Sequence, residues 1–208
     1  DFASSLQLRV SGTLTGNGQV GAPGTGTGNP PDNAFLTLAP LQLTGSAGFA
    51  LTRQTVDADT DGNGAADLLG ATLSSLALDA TDVGVSITNV AVLTVTGKLA
   101  VATLKPADVA DLRSWFALTM GDVTVAGGLD PALNIGLSAT LTINRLEYNS
   151  ASGAGAKRLN WASAFDLDGD GQFDDVLDPG AELPTPVALA IDFASSLQLR
   201  VSGTLTGN

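Results

Sequence analysis

Residues 1–17 (DFASSLQLRVSGTLTGN) return letter for letter as residues 192–208, so the chain states the same seventeen residues twice, 191 positions apart. One globular domain gains nothing in folding from such a repetition. A tandem array produces it whenever units of fixed length follow one another. The expected organisation is one whole unit of 191 residues followed by the opening strand of the next. Whatever fold the unit takes must therefore join end to end with a copy of itself.

Period-two alternation points to strands. From Val187 the odd positions read Val187, Leu189, Ile191, Phe193, Ser195, Leu197, Leu199, Val201, Gly203 and Leu205, with small or polar residues between them. At roughly 3.3 Å per residue this is a half-buried pattern about 60 Å long. It predicts either one very long strand or a strand that bends near Ser195–Ser196 and keeps its inward face. Val83, Val85, Ile87, Leu93, Val95, Gly97, Leu99 and Val101 carry a related pattern and predict a second strand run with the odd residues inward.

Weaker echoes recur in a constant order. Residues 35–45 resemble 116–127, 46–53 resemble 138–145, and 57–69 resemble 166–177, while 95–99 echo 201–205. They predict two divergent halves per unit, residues 1–82 and 83–186, with 187–208 opening the next unit. The fold class expected is all-β, with long antiparallel strands in sandwich-like modules that repeat as a filament. A parallel solenoid would need a period of roughly 20–30 residues, which the sequence does not have.

Residues 17–33 and 149–157 are rich in Gly, Pro, Ser and Asn and read as exposed connections. Residues 106–115 open Pro-Ala-Asp and place Val109 and Leu112 three apart, which predicts one short helix. No other helix is expected.

Composition removes several chemistries. With neither Cys nor His, the chain offers no thiol or imidazole nucleophile, no Cys/His zinc site and no disulfide. The expectation is a protein that is not an enzyme. A formal charge of −12 sets it against nucleic acid and anionic membranes and favours divalent cations. No apolar run reaches the roughly 18–20 residues of a membrane span. Trp115, Trp161 and Tyr148 read as core or loop anchors rather than a sugar platform.

Two segments carry the strongest chemical signal. Asp57, Asp59, Asp61, Asn63 and Asp67 place oxygens at positions 1, 3, 5, 7 and 11 of a loop, with Gly62 at position 6. Asp166, Asp168, Asp170 and Gln172 do the same at 1, 3, 5 and 7, with Gly171 at 6 and Asp174 and Asp175 following. Alternate residues of a tight loop can turn their oxygens inward together, which suits the six to eight hard oxygen ligands of Ca²⁺. Glycine at the sixth place permits the sharp turn.

The pattern resembles the D-x-D-x-D-G calcium loops of EF-hands, dockerins and thrombospondin type 3 repeats. It departs from the EF-hand at position 12, where Leu68 and Leu177 stand in place of Glu. Asp67, and Asp174 or Asp175, would then have to close each cage. That departure implies affinity toward the weak, extracellular range of about 10⁻⁴–10⁻³ M.

Repeat length, acidic loops and a Thr/Gly/Leu/Val-rich composition without Cys together resemble a tandem unit of a giant bacterial surface fibre or calcium-dependent adhesin. The resemblance implies a secreted or surface location and a role in building length or mediating attachment. Identical units would meet head to tail, and a glycan or partner cell would be the target of any binding loop. The competing reading is a ligand-binding module displayed on a surface protein.

Overall fold

The computed structural model describes residues 5–16, 34–38, 41–87, 91–129 and 138–207. The Gly/Pro-rich stretch 17–33 lies outside them. Among these residues eight strands form one antiparallel sheet: β1 (Leu6–Gly16), β2 (Ala34–Leu38), β3 (Leu41–Ala58), β4 (Leu68–Ile87), β5 (Ala91–Lys105), β6 (Ser114–Leu129), β7 (Ser138–Ser152) and β8 (Leu199–Gly207). The spatial order is β1-β3-β4-β5-β6-β7-β8, and β2 pairs β3 beyond the end of β1. The all-β, antiparallel class expected from the alternation is the class found. The 82/83 boundary between the proposed halves falls inside β4, so both halves contribute to one continuous sheet.

Among the described residues the second layer is not another sheet. It is the segment after β7, with short 3-10 turns at Trp161–Ser163 and Pro179–Glu182 that the sequence did not suggest. Proline starts the second turn, and the Asp178 carboxylate accepts the Gly180 N–H at 3.1 Å. The covering layer supplies Leu159, Trp161, Phe165, Leu177, Leu183, Leu189, Ile191 and Phe193, all buried. The sheet meets it with Ala50, Ala71, Ala77, Ala100, Ala102 and Ala117, and with Leu73, Leu104 and Trp115. Small residues on the sheet let the large ones of the cover settle against its backbone, and each large apolar side chain fully buried contributes roughly 1.5–3 kcal/mol.

This arrangement corrects the inward face expected for 83–101. Ala100, Ala102 and Leu104 are the fully buried members of β5, while Leu99 and Val101 lie half-buried on the opposite face. That opposite face is also apolar, through Phe49, Leu51, Leu76, Leu78, Leu118 and Met120, none of them buried. Size misled the periodicity. The larger residues of the alternation belong to the uncovered side.

Two further expectations are overturned. The chain does bend at Ser195–Ser196, where the Leu197 N–H reaches the Ala194 carbonyl at 3.0 Å, but the inward face is lost there. Leu189, Ile191 and Phe193 are buried in the core, whereas Leu199, Val201 and Leu205 are 60%, 56% and 73% exposed. The helix predicted for 106–115 is a turn running into β6. The Asp108 carboxylate takes the Ala110 N–H at 2.8 Å, an Asx-turn that competes with helical hydrogen bonding, and Val109 and Leu112 face solvent.

Register breaks line up across the sheet. β4 skips two residues between Ala80 and Val83, β5 skips Gly97, and β7 skips Asn144 against β8, while Asp122 of β6 takes a φ of 53°. Such breaks concentrate twist and bend a sheet along a line. Gly97 has a φ of 132°, and a Cβ there would stand 2.5 Å from the Val123 Cα, so only glycine fits.

Candidate metal loops

Both Asp-rich segments fold as compact turns built by their own carboxylates. The Asp166 Oδ1 accepts the N–H groups of Gly169 and Asp170 at 2.8 and 3.1 Å, and its Oδ2 accepts that of Gly171 at 3.0 Å. Asp168 accepts from Asp170, and Asp170 accepts from Gln172. Asp175 closes the loop by accepting the N–H groups of Leu167 and Asp168. Gly169 and Gly171 take φ of 80° and 88°, the left-handed region that lets the chain wind round Asp166.

The first loop repeats this pattern as far as its closing Asp, which comes one residue sooner, and in doing so moves the frame. Asp59, not Asp57, is the counterpart of Asp166. It accepts from Gly62, Asn63 and Gly64, at the same offsets of three, four and five residues. Asp61 then matches Asp168, Asn63 matches Asp170, and Asp67 closes by accepting the Thr60 N–H at 2.6 Å. Asp57 falls outside the turn, its carboxylate accepting the Gly70 N–H at 2.7 Å. The frame expected from sequence is therefore two residues early in the first loop. The spacing D-x-D-x-D-G also fits a start at Asp59 if Asn63 stands for the third Asp and Gly64 for the glycine.

The two loops touch at equivalent points. Ala58 and Phe165, each the residue before the leading Asp, form an antiparallel bridge, and the Asp59 N–H reaches the Ala164 carbonyl at 3.0 Å. The loops thereby meet through two fully buried residues. Nothing in the sequence signals this pairing.

Their electrostatics differ. Burial acts to raise the pKa of Asp59, which is 3% exposed, but the N–H groups of Gly64, Gly62, Asn63 and Asp61 outweigh it and hold the carboxyl below the ordinary 3.8. Beside this loop lies Arg113, bound to Asp111 through three hydrogen bonds of 2.7–3.1 Å. The Asp111 hydrogen bond and the charges of Asp111 and Asp67 hold its guanidinium further above its usual range. The first loop thus already has a cation for a neighbour, and a cleft of about 890 Å³ opens there, lined by Asp59, Asp67, Arg113, Asn160 and Gln198 among others.

In the second loop the oxygens of Asp166, Asp168 and Asp175 lie within 4.8 Å of one another, the single such acidic group among the described residues. This cluster of three Asp can hold a metal ion. Of the other residues expected to ligate, Asp170 is engaged within the turn, and Gln172 and Asp174 are exposed. Each clustered carboxylate oxygen that accepts an N–H retains a second lone pair for a cation.

Sequence reasoning missed a buried polar network beside the core. Asn149 opens a stretch whose composition predicts a loop, yet it is a fully buried residue of β7. Its Nδ2 donates to the Leu159 carbonyl at 2.9 Å, and its Oδ1 accepts the Trp161 indole N–H at 3.1 Å. Trp115 donates to the Lys157 carbonyl at 2.8 Å. Both tryptophans are core anchors that tie the cover to the sheet. No helix among the described residues is long and apolar enough to cross a membrane. No family model, no curated protein and no solved structure matches this chain.

Proposed function

We propose that the chain is a structural repeat of a long, secreted, calcium-stabilised fibre or surface adhesin, built to supply length and to present attachment surfaces. The observation that carries this reading is that the two outer strands of the sheet, β1 and β8, have the same sequence. A unit whose first and last edges are interchangeable is suited to head-to-tail growth, a heterologous contact that propagates without closing. The Asp loops supply the stiffening. Without metal, Asp166, Asp168 and Asp175 crowd like charges together; with Ca²⁺ they would clamp the cover where it crosses the end of β3.

The test is thermal unfolding of the chain in millimolar Ca²⁺ and in excess EGTA, with electron microscopy of a multi-unit chain under both conditions. The expected result is a lower Tm in EGTA and rods that become more flexible. Equal Tm values would remove calcium from the reading, and unconnected particles would remove the fibre.

A further inference from the structure

We infer that β1 and β8 are one strand seen from its two sides, so that successive units merge into a single continuous sheet. This rests on the tandem reading above and specifies the contact it needs. The strand would pair through one edge with β7 of the unit before it and through the other with β3 of the unit after it.

Three observations support this. The paired stretches coincide: residues 8–16 lie against β3, and residues 199–207, the same nine letters, lie against β7. An antiparallel strand directs its N–H and C=O groups to its two edges in alternation, and among the described residues each copy has only one of its two edges paired, which leaves the other set for a second neighbour. Both β1 and β8 run antiparallel to their partners, so β7 and β3 would flank the shared strand with a common direction.

The faces agree as well. A shift of one residue would turn every side chain to the other side of the sheet, so agreement here is a real constraint. Arg9 meets Glu182 of the covering layer at 3.2 Å, and Arg200, the same residue in the second copy, meets the buried Glu147 at 3.0 Å. Both copies therefore direct this arginine to the covered face, and the covers of adjoining units would lie on the same side. In an array one guanidinium would stand between Glu147 of one unit and Glu182 of the next.

Exposure tells the same story from the opposite face. Leu8, Val10 and Leu14 are 44%, 43% and 44% exposed, and their counterparts Leu199, Val201 and Leu205 are 60%, 56% and 73% exposed. Each copy is sheltered from one side only. An unprotected apolar edge is a hazard that proteins normally cover, and a second flanking strand covers it.

The test is a chain of two consecutive units, residues 1–191 followed by residues 1–208, which contains no native Cys to interfere. One variant pairs Leu146→Cys of the first unit with Val201→Cys of the shared strand, following the register Leu146↔Val201. The other pairs Val201→Cys with Leu51→Cys of the second unit, following Val10↔Leu51. Both disulfides are expected to form on mild oxidation, since directly opposed strand residues lie within bridging distance. Formation of only one would assign the strand to a single unit and overturn the continuous sheet. Residue-resolved amide exchange on the unsubstituted chains decides independently of cysteine effects. In the 208-residue chain alternate amides of residues 199–207 should exchange fast, and in the two-unit chain all should be slow. Persistent fast exchange of the alternate set would overturn the inference. Calcium-dependent melting of the same two-unit chain reports separately on the fibre reading, which survives as beads on a string if only the shared strand fails.

Discussion

Arg200 Nη1 lies 3.0 Å from the Oε2 of Glu147, a carboxylate 2% exposed whose other oxygen is held by Arg145. Two edge-side guanidinium groups, each about half exposed, thus converge on one buried acid. Removing the acid leaves two cations without a partner, and removing Arg200 takes away the cation beside the buried Oε2, which accepts no hydrogen bond of its own. Breaking a buried pair typically costs 3–5 kcal/mol, and the solvent reach of both arginines lowers the expectation for Glu147→Ala to roughly 1–3 kcal/mol. Urea unfolding measures it. Arg200→Ala should loosen β8 more than the rest of the sheet, which amide exchange along β8 would show against β4.

The carboxylates of the second Asp loop differ in how firmly the turn holds them. Asp166 accepts three backbone N–H groups, so Asp166→Ala should lower Tm with or without Ca²⁺, the donors left behind costing about 1–3 kcal/mol of stability. Asp168 accepts only one in the turn. Asp168→Asn should therefore leave Tm in EGTA almost unchanged and remove most of the Tm gain produced by Ca²⁺. Calorimetric titration of the unsubstituted chain should give a dissociation constant of about 10⁻⁴–10⁻³ M. An equal Ca²⁺ response in Asp168→Asn would take this residue out of the site.

Asp59 makes stability depend on acid. Its folded pKa lies below the ordinary 3.8, so the ionised form is the one the fold prefers. The stabilisation it contributes is complete well above pH 3.8 and is lost as pH falls through that value to the depressed folded pKa. Asp59→Asn is expected to lower Tm at pH 7, with a cost of about 1–3 kcal/mol for weakened charge-assisted hydrogen bonds. The gap between variant and parent should narrow below about pH 3.8. Melting curves at pH 7 and pH 3 check the sign. Because Ala58 bridges Phe165, the same substitution should also weaken the Ca²⁺ response of the second loop.

How far the fold was readable follows from which signals were local. Strand character came through, since period-two alternation needs no knowledge of neighbours, and so did the acidic turns, since their spacing lies within a dozen residues. What depends on the cover did not. The choice between Leu99 and Ala100 as the inward residue was settled by a layer more than fifty residues away, which admits small side chains against the sheet. Asn149 looked like loop chemistry because its partners, Leu159 and Trp161, are brought over it only by the chain's return. The frame error at Asp57 arose because two overlapping D-x-D registers satisfy one spacing rule, and the N–H groups of Gly62 and Gly64 chose between them.

The repeated glycine offers the sharpest asymmetry. Gly12 and Gly203 are the same letter in the same seventeen residues, yet their surroundings differ. A Cβ on Gly203 would stand 2.2 Å from the Thr142 carbonyl oxygen, which is backbone and cannot move aside cheaply. A Cβ on Gly12 would meet only the Phe49 ring, at 3.2 Å, which a small rotation relieves. Gly203→Ala is expected to destabilise the docking of β8 by about 1–3 kcal/mol, the usual cost of forcing an atom into filled space, while Gly12→Ala should cost well under 1 kcal/mol. In the 208-residue chain the first should appear as faster amide exchange confined to β7 and β8, with little change in global Tm. In a two-unit chain, substitution of the internal copy at position 203 should carry both penalties at once, because the β7 carbonyl and the Phe49 ring would then bear on a single residue.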